Sequence, residues 1–308
     1  IGMAKKHNDG YLSAKESRRI SKENRRITNE LEKKRKRKNV PEAEYLTQMH
    51  DPRNAVEFDN LHTYFFTDTG VVKSVDGVSF SVPIGKTVGV VGESGCGKST
   101  LLSMIAGLIS PEEGTIYLEG APLVSARTRI GYMLQKDHLF EWRTVLSNVL
   151  LGLEIQNRMD EASRTKALEM LKTYGLDAFA DAKPSQLSGG MWQRAALIRT
   201  LVLEPDLLLL DEPFSALDYQ TRLTVADDIW KIIKKEQKTA ILVTHDLSEA
   251  VSMADRIFIL STRPGHLIRD VSVTFPELTE DSPMNRRNAK EFKSYFNLIW
   301  KELNTHES

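Results

Sequence analysis

Residues 86–108 read KTVGVVGESGCGKSTLLSMIAGL, and this stretch decides the fold. An apolar run comes first, then closely spaced glycines, then apolar residues at helical spacing. That order predicts a buried strand, a tight turn and a helix. Within it, Gly92 to Ser99 fits G-x-x-x-x-G-K-[ST], the loop that cradles nucleotide phosphates. Gly92, Glu93, Ser94, Gly95, Cys96, Gly97, Lys98, Ser99 and Thr100 are therefore the candidate ATP-binding residues. Gly95 and Gly97 let the backbone wrap a phosphate with its N–H groups turned inward. Lys98 places a point charge on the β- and γ-phosphates, Ser99 offers a hydroxyl to Mg²⁺, and Thr100 can donate to the α-phosphate.

Two further strands predict the rest of such a site. EPDLLLLDEPFSALD, residues 204–218, has four leucines followed by two acids. The apolar run reads as a buried parallel strand, with Asp211 at its C-terminal end, where α/β sheets bind ligands. There Asp211 would hold Mg²⁺, and Glu212 would orient or deprotonate the attacking water. TAILVTHDLSEA, residues 239–250, reads as a third strand ending in Thr244 and His245. His245 could hydrogen-bond the γ-phosphate. Gln135 follows a short β-like run, and its neutral amide could touch both Mg²⁺ and water. A second glycine pair, in LSGGMWQR at 187–194, opens another predicted helix. Free N–H groups and the helix dipole make that a phosphate site as well.

Composition narrows the setting. Of 308 residues, 41% are hydrophobic and 27% charged, enough for a large buried core. The single cysteine, Cys96, excludes an intramolecular disulfide. No stretch approaches the ~18 apolar residues of a membrane span. The zero net charge hides an asymmetry: residues 15–39 hold twelve Lys/Arg against four Glu, a net of +8. Ile20, Ile27 and Leu31 are spaced for a short amphipathic helix there. A solvated tail is the first expectation, contact with anionic headgroups the second, and nucleic acid the third.

Taken together, the motifs resemble the nucleotide-binding subunit of an ATP-binding-cassette (ABC) transporter. The elements fall in that family's order: Walker A (92–100), Q-loop (Gln135), LSGG, Walker B (207–212), D-loop (SALD, 215–218) and switch His245. The resemblance implies an α/β P-loop NTPase of the ABC-cassette type. It has a mainly parallel core sheet, an antiparallel β subdomain (55–85 and 114–120) and a helical subdomain (about 136–190). Residues 1–54 are expected as a basic, flexible extension, 55–270 as the nucleotide-binding domain and 271–308 as a C-terminal helical extension. The resemblance also implies Glu212, His245 and Gln135 as catalytic residues, with Ser99, Gln135 and Asp211 around Mg²⁺. It implies an aromatic stacked on adenine; in LHTYFFTDTG, Tyr64 is favoured and Phe66 comes next, with Phe65 between them. In this family two cassettes pack head to tail. Ser188, Gly189, Gly190 and Asp218 would therefore serve ATP held by a second ABC subunit.

Implied partners are transmembrane permease subunits and, indirectly, an extracellular solute-binding protein, with the chain peripheral on the cytoplasmic face. Residues 61–99 resemble oligopeptide and dipeptide importer ATPases. TRIGYMLQKDHLFEWRTVLSNVLLGLEIQNR, DEPFSALDYQTR and ILSTRPGHLIRDVSV resemble the nitrate/sulfonate/taurine branch, which includes subunits assigned to thiamine-precursor uptake. The second branch covers more of the chain. In KDHLFEW, Phe140 and Trp142 are expected either to meet the permease or to pack within the helical subdomain. At the C-terminus, Phe292, Tyr295, Phe296, Ile299, Trp300 and Leu303 fall at helical spacing, as a helix packed on the chain's own core. A soluble member acting on ribosomes or nucleic acid is the competing expectation. The interval between residues 100 and 187 lacks the heptads of DNA-repair members.

Overall fold

The computed structural model describes residues 14–37, 51–67, 70–123, 129–135 and 139–305. Two sheets carry the fold. The first joins β1 (Asn54–Thr67), β2 (Gly70–Pro83), β4 (Glu113–Leu118) and β5 (Ala121–Pro122) in the order β2-β1-β4-β5, with every pair antiparallel. The second runs β10-β9-β3-β8-β7-β6. Its strands β3 (Thr87–Val91), β6 (Ile130–Met133), β7 (Leu207–Asp211), β8 (Thr239–Val243) and β9 (Arg256–Leu260) are parallel. Strand β10 (Leu267–Ser272) pairs antiparallel with β9 at the edge.

Every residue of β3, β7 and β8 is buried. Their unbroken Val/Ile/Leu runs suit strands covered on both faces. Asp211 lies beside Val243, and Val90 beside the same residue. This register brings the ends of the three strands together, so Gly92, Glu212 and Thr244 emerge at one edge of the sheet. Helix α2 (Lys98–Ile105) follows the β3 turn and packs Leu101, Leu102 and Ile105 into the core between the two sheets.

Three helices form the helical part: α3 (Val145–Ile155), α4 (Glu161–Thr173) and α5 (Gly189–Leu201). Val149, Leu171 and Ala195 are fully buried among them. The loop before α3 is pinned by Asn148, itself fully buried. Its Oδ1 accepts from the Phe140 N–H at 2.7 Å and its Nδ2 donates to the Phe140 carbonyl at 3.1 Å. That loop presents Trp142, 73% exposed, stacked at 4.7 Å on Phe140. Residues 136–138 of KDHLFEW lie outside the described residues.

Helices α6 (Tyr219–Lys235) and α7 (Leu247–Met253) follow β7 and β8. After β10 come α8 (Pro283–Asn288) and α9 (Lys290–Thr305). Ile299 of α9 is fully buried with Val251, Ile257, Ile259, Val271 and Val273. The C-terminal helix thus packs on the chain's own core. The boundary expected at 270/271 falls inside β10, because pairing with β9 draws Val271 and Val273 into that core.

Helix α1 (Ala14–Arg37) lies against β2, with Ile20 and Ile27 half-buried in a cleft shared with Tyr64, Val71 and Lys73. Arg18, Arg19, Lys22, Arg25 and Arg26 face outward. The side chain of Leu31 and the run beyond Arg37 lie outside what is described. Among the described residues no helix is long and apolar enough to cross a membrane.

Candidate nucleotide site

The loop after β3 is shaped by two glycines in the left-handed region, Gly95 at φ +79° and Gly97 at φ +100°. A Cβ on Gly97 would stand 2.6 Å from the Ser74 carbonyl oxygen, so only glycine fits there. Helix α2 starts at the next residue and points its N-terminus into the loop. Lys98 is buried, and its Nζ donates to the carbonyls of Gly92 and Glu93, both at 2.7 Å. Cys96 is also buried, with Sγ 3.7 Å from Lys98 Nζ. Burial pushes its thiol above the ordinary range, against the pull of the Lys98 charge. Cys96 thus packs inside the loop, away from the cleft's exposed surface.

The acids of β7 meet this loop directly. Ser99 Oγ donates to Asp211 Oδ1 at 3.1 Å, and the Tyr132 hydroxyl donates to Oδ2 at 3.4 Å. Burial raises the Asp211 carboxyl above the usual carboxylate range, against the Ser99 hydrogen bond, and the neighbouring Glu212 charge adds to the rise. A cation would reverse that push. A serine hydroxyl beside a desolvated carboxylate is a hard-oxygen donor pair that suits Mg²⁺, which fills its remaining positions with phosphate oxygens and water. Glu212 has φ +46°, a conformation that costs a non-glycine residue of order 1–3 kcal/mol. Its N–H donates to the Val243 carbonyl at 2.8 Å, tying the strained residue to β8. Its Oε2 accepts from Gln135 Nε2 at 2.8 Å and lies 3.1 Å from His245 Nδ1. Two residues far apart in sequence, Gln135 and His245, therefore converge on one oxygen of Glu212.

These groups line a cleft of about 690 Å³. Lys98, Ser99 and Thr100 form its polar end, with Gln135, Glu212 and His245 alongside. Its apolar wall is Phe65 and Val72, cross-strand neighbours on β1 and β2. Tyr64, the aromatic favoured for adenine, does not line this cleft and lies on the other face of β1. Successive strand residues point to opposite faces, and the register slips between Thr63 and Tyr64. Tyr64 lines the cleft under α1, and its hydroxyl sits 3.2 Å from His62 Nδ1 and 3.5 Å from Asp76 Oδ1. Burial, with the Asp76 charge behind it, pushes the Tyr64 phenol up to about 12. Phe65 is 40% exposed and free to present a ring face. The side chain of Phe66 lies outside those described. The sequence also gave no pointer to Ser74, whose Oγ donates to Thr100 Oγ1 at 3.0 Å, or to Arg263, which lines the same cleft.

The second glycine pair is absent from this cleft. Ser188 is exposed and caps α5, accepting from the Met191 N–H at 3.3 Å. Gly189 is exposed, whereas Gly190 is buried, and a Cβ there would meet Val225 Cγ2 at 2.8 Å. Asp218 caps α6, accepting from the Thr221 N–H at 3.1 Å. The Thr221 hydrogen bonds hold its carboxyl below the ordinary range.

The family profile described as ABC transporter matches residues 75–215. The uncharacterised ABC transporter ATP-binding protein YtlC of Bacillus subtilis is 46% identical over 246 residues, 80% of this chain and 94% of that protein. This chain belongs to the ABC transporter ATP-binding family. The nitrate import ATP-binding protein NrtD of Synechocystis is 37% identical to the cassette over 82% of the chain and 96% of its own length. The aliphatic sulfonates import ATP-binding protein SsuB of Bacillus anthracis is 37% identical over 72% and 88% respectively. The solved dimeric cassette MJ0796, in a post-hydrolysis state bound to ADP and Pi, superposes with a TM-score of 0.62. It is 31% identical to this chain and covers 71% of it and 99% of its own. The cassette is an ATP-binding, ATP-hydrolysing α/β P-loop NTPase, with parallel and antiparallel sheets and a helical subdomain.

Proposed function

We propose that this cassette powers a membrane importer for a small anionic solute of the nitrate or sulfonate type, and that it works as a dimer. The cargo class rests on the likeness to nitrate and sulfonate import proteins along most of the chain. Those relatives lend no support to the oligopeptide resemblance of residues 61–99 or to an action on nucleic acid. The dimer is carried by one observation. The chain's own cleft holds a hydrolytic set, yet LSGG lies outside it and exposes Ser188 and Gly189. Head-to-tail pairing would bring those groups onto the partner's triphosphate, and the solved cassette MJ0796 is itself dimeric.

In this mechanism the Walker A backbone and Lys98 hold the phosphates. Ser99 and Asp211 would hold Mg²⁺, with Gln135 beside them, and the ion would supply positive charge to the phosphates. Phe65 stacks on adenine. Glu212 sits one residue past Asp211, where its carboxylate can polarise the attacking water, while Gln135 and His245 hold that carboxylate in place. Phe140 and Trp142 form an exposed aromatic pair beside the Q-loop, suited to a permease helix. Co-purification from cells with the tagged cassette as bait tests the importer reading. Wild type should bring down a permease and a solute-binding protein, and Trp142→Ala should lose the permease. Recovery with ribosomes or nucleic acid in place of a permease would overturn it.

A further inference from the structure

Arg263 stands in the turn between β9 and β10, within the stretch 259–273 but outside the nucleotide-binding motifs discussed above. Its Nε donates to the Gly95 carbonyl at 3.1 Å. Its Nη2 lies 3.0 Å from the point a Cβ on Gly95 would occupy. The guanidinium therefore rests against the outer turn of the phosphate loop. The backbone behind it is fixed to that loop and to β2. The Gly265 N–H donates to the Ser74 carbonyl at 3.0 Å, and the Asp76 N–H donates to the Gly265 carbonyl at 2.9 Å. A Cβ on Gly265 would stand 2.1 Å from the Cys96 carbonyl oxygen, so the turn is pressed directly onto the loop. Arg263 is exposed and lines the same cleft as Lys98, Ser99 and Thr100. Among the described residues its two terminal nitrogens have no hydrogen-bond partner.

An arginine offers five donors in a rigid fork. With Nε anchored on Gly95, the fork presents its other donors to whatever fills the cleft. Two acids, Asp211 and Glu212, stand close together at this end of the site, and Lys98 acts on the first of them. We propose that Arg263 is a second phosphate-binding cation of this site, adding bidentate contact with a nucleotide polyphosphate to the point charge of Lys98. The contact requires phosphates, so its contribution should fall from ATP to ADP to AMP.

The inference rests on nucleotide binding in this cleft and is independent of the cargo. The test measures ATP, ADP and AMP affinity, with Mg²⁺, for the full chain and for Arg263→Gln, Arg263→Lys and Lys98→Ala. Glutamine keeps an amide donor for the Gly95 carbonyl and drops the charge; lysine restores the charge without the fork. Charge-assisted hydrogen bonds of this kind correspond to about tenfold or more in affinity. Arg263→Gln should weaken ATP by about that factor and AMP far less, and Arg263→Lys should recover part of the loss. The wild-type affinity should also fall more steeply with salt than that of the glutamine variant. Unchanged ATP affinity in Arg263→Gln, with Lys98→Ala impaired, overturns the proposal. Equal losses for ATP and AMP overturn it too, since that is what a mere brace for the loop would show. If Lys98→Ala also binds normally, the cleft is not the nucleotide site and the broader reading falls first.

Discussion

The strand-end cleft and the LSGG face use the same physical device, a helix N-terminus with glycines before it, and finish it differently. In the cleft the chain closes on itself: Ser99 reaches Asp211, while Gln135 and His245 meet Glu212. On the LSGG face the polar groups turn back to their own helices, Ser188 to Met191 and Asp218 to Thr221. Among the described residues, no hydrogen bond from the cleft joins them. The first region is a set of contacts this chain builds alone; under the proposed head-to-tail pairing the second is half of a site. A cap is easily given up, since losing one costs about 1 kcal/mol, so a phosphate on the partner can compete for these donors.

Breaking the self-contained half should produce the largest effect. Glu212→Gln removes the base and keeps the shape. Hydrolysis should fall roughly 10²–10⁴-fold while ATP still binds, as steady-state turnover beside equilibrium binding would show. Unchanged turnover would remove Glu212 from the chemistry. Lys98→Ala should cost about 10–100-fold in ATP affinity, the equivalent of one charge-assisted contact at about 1.5–3 kcal/mol. Phe65→Ala should weaken adenine nucleotides by about tenfold, since base–aromatic stacking is worth about 1–3 kcal/mol, whereas Tyr64→Ala should leave nucleotide affinity alone. The reverse pattern would restore Tyr64 to the adenine.

A smaller effect lies behind the switch histidine. Glu249 is buried on α7, accepts from Thr244 Oγ1 at 2.6 Å, and faces Arg222 and Asp246. Burial raises its carboxyl to about 7, with the Thr244 hydrogen bond opposing. The folded chain then holds a proton that the unfolded chain has lost, so this group lowers stability as pH rises between about 4.5 and 7. Glu249→Gln keeps an oxygen for Thr244 and cannot ionise. Its stability relative to wild type should increase across that window by up to about 3 kcal/mol, from ~1.4 kcal/mol per unit, and level off above it. Denaturant melts at several pH values measure this; a difference flat with pH would mean Glu249 titrates normally.

The sequence made the cleft legible because strand, glycine turn and helix are contiguous in it. Buried apolar runs then place whatever follows them at the sheet edge, which is how Asp211, Glu212 and His245 could be named before their contacts were seen. The aromatic wall of the cleft was not legible. Three aromatics in a row differ only in which way each points, and a slip in register between Thr63 and Tyr64, with α1 over one face, decides that. Arg263 gave no signal either, because its position depends on a turn packed against Cys96 from more than 160 residues away. The placing of 270/271 inside β10 has a related reason, since strand pairing between β9 and β10 is invisible to local composition.

The central claim is that LSGG serves a nucleotide held by another chain, and mixing two damaged chains tests it most directly. Lys98→Ala holds its own ATP weakly and out of place for hydrolysis but keeps an intact LSGG. Ser188→Arg keeps Walker A and blocks the exposed loop, and it avoids Gly190, where any side chain strikes Val225. Each variant alone should be nearly inactive, although Ser188→Arg still binds ATP. Mixed, they should regain ATP hydrolysis and an ATP-dependent dimer, because the Walker A of one meets the LSGG of the other. Activity that stays at the average of the two separate variants, with no dimer on mixing, would mean that each chain's LSGG acts on its own nucleotide.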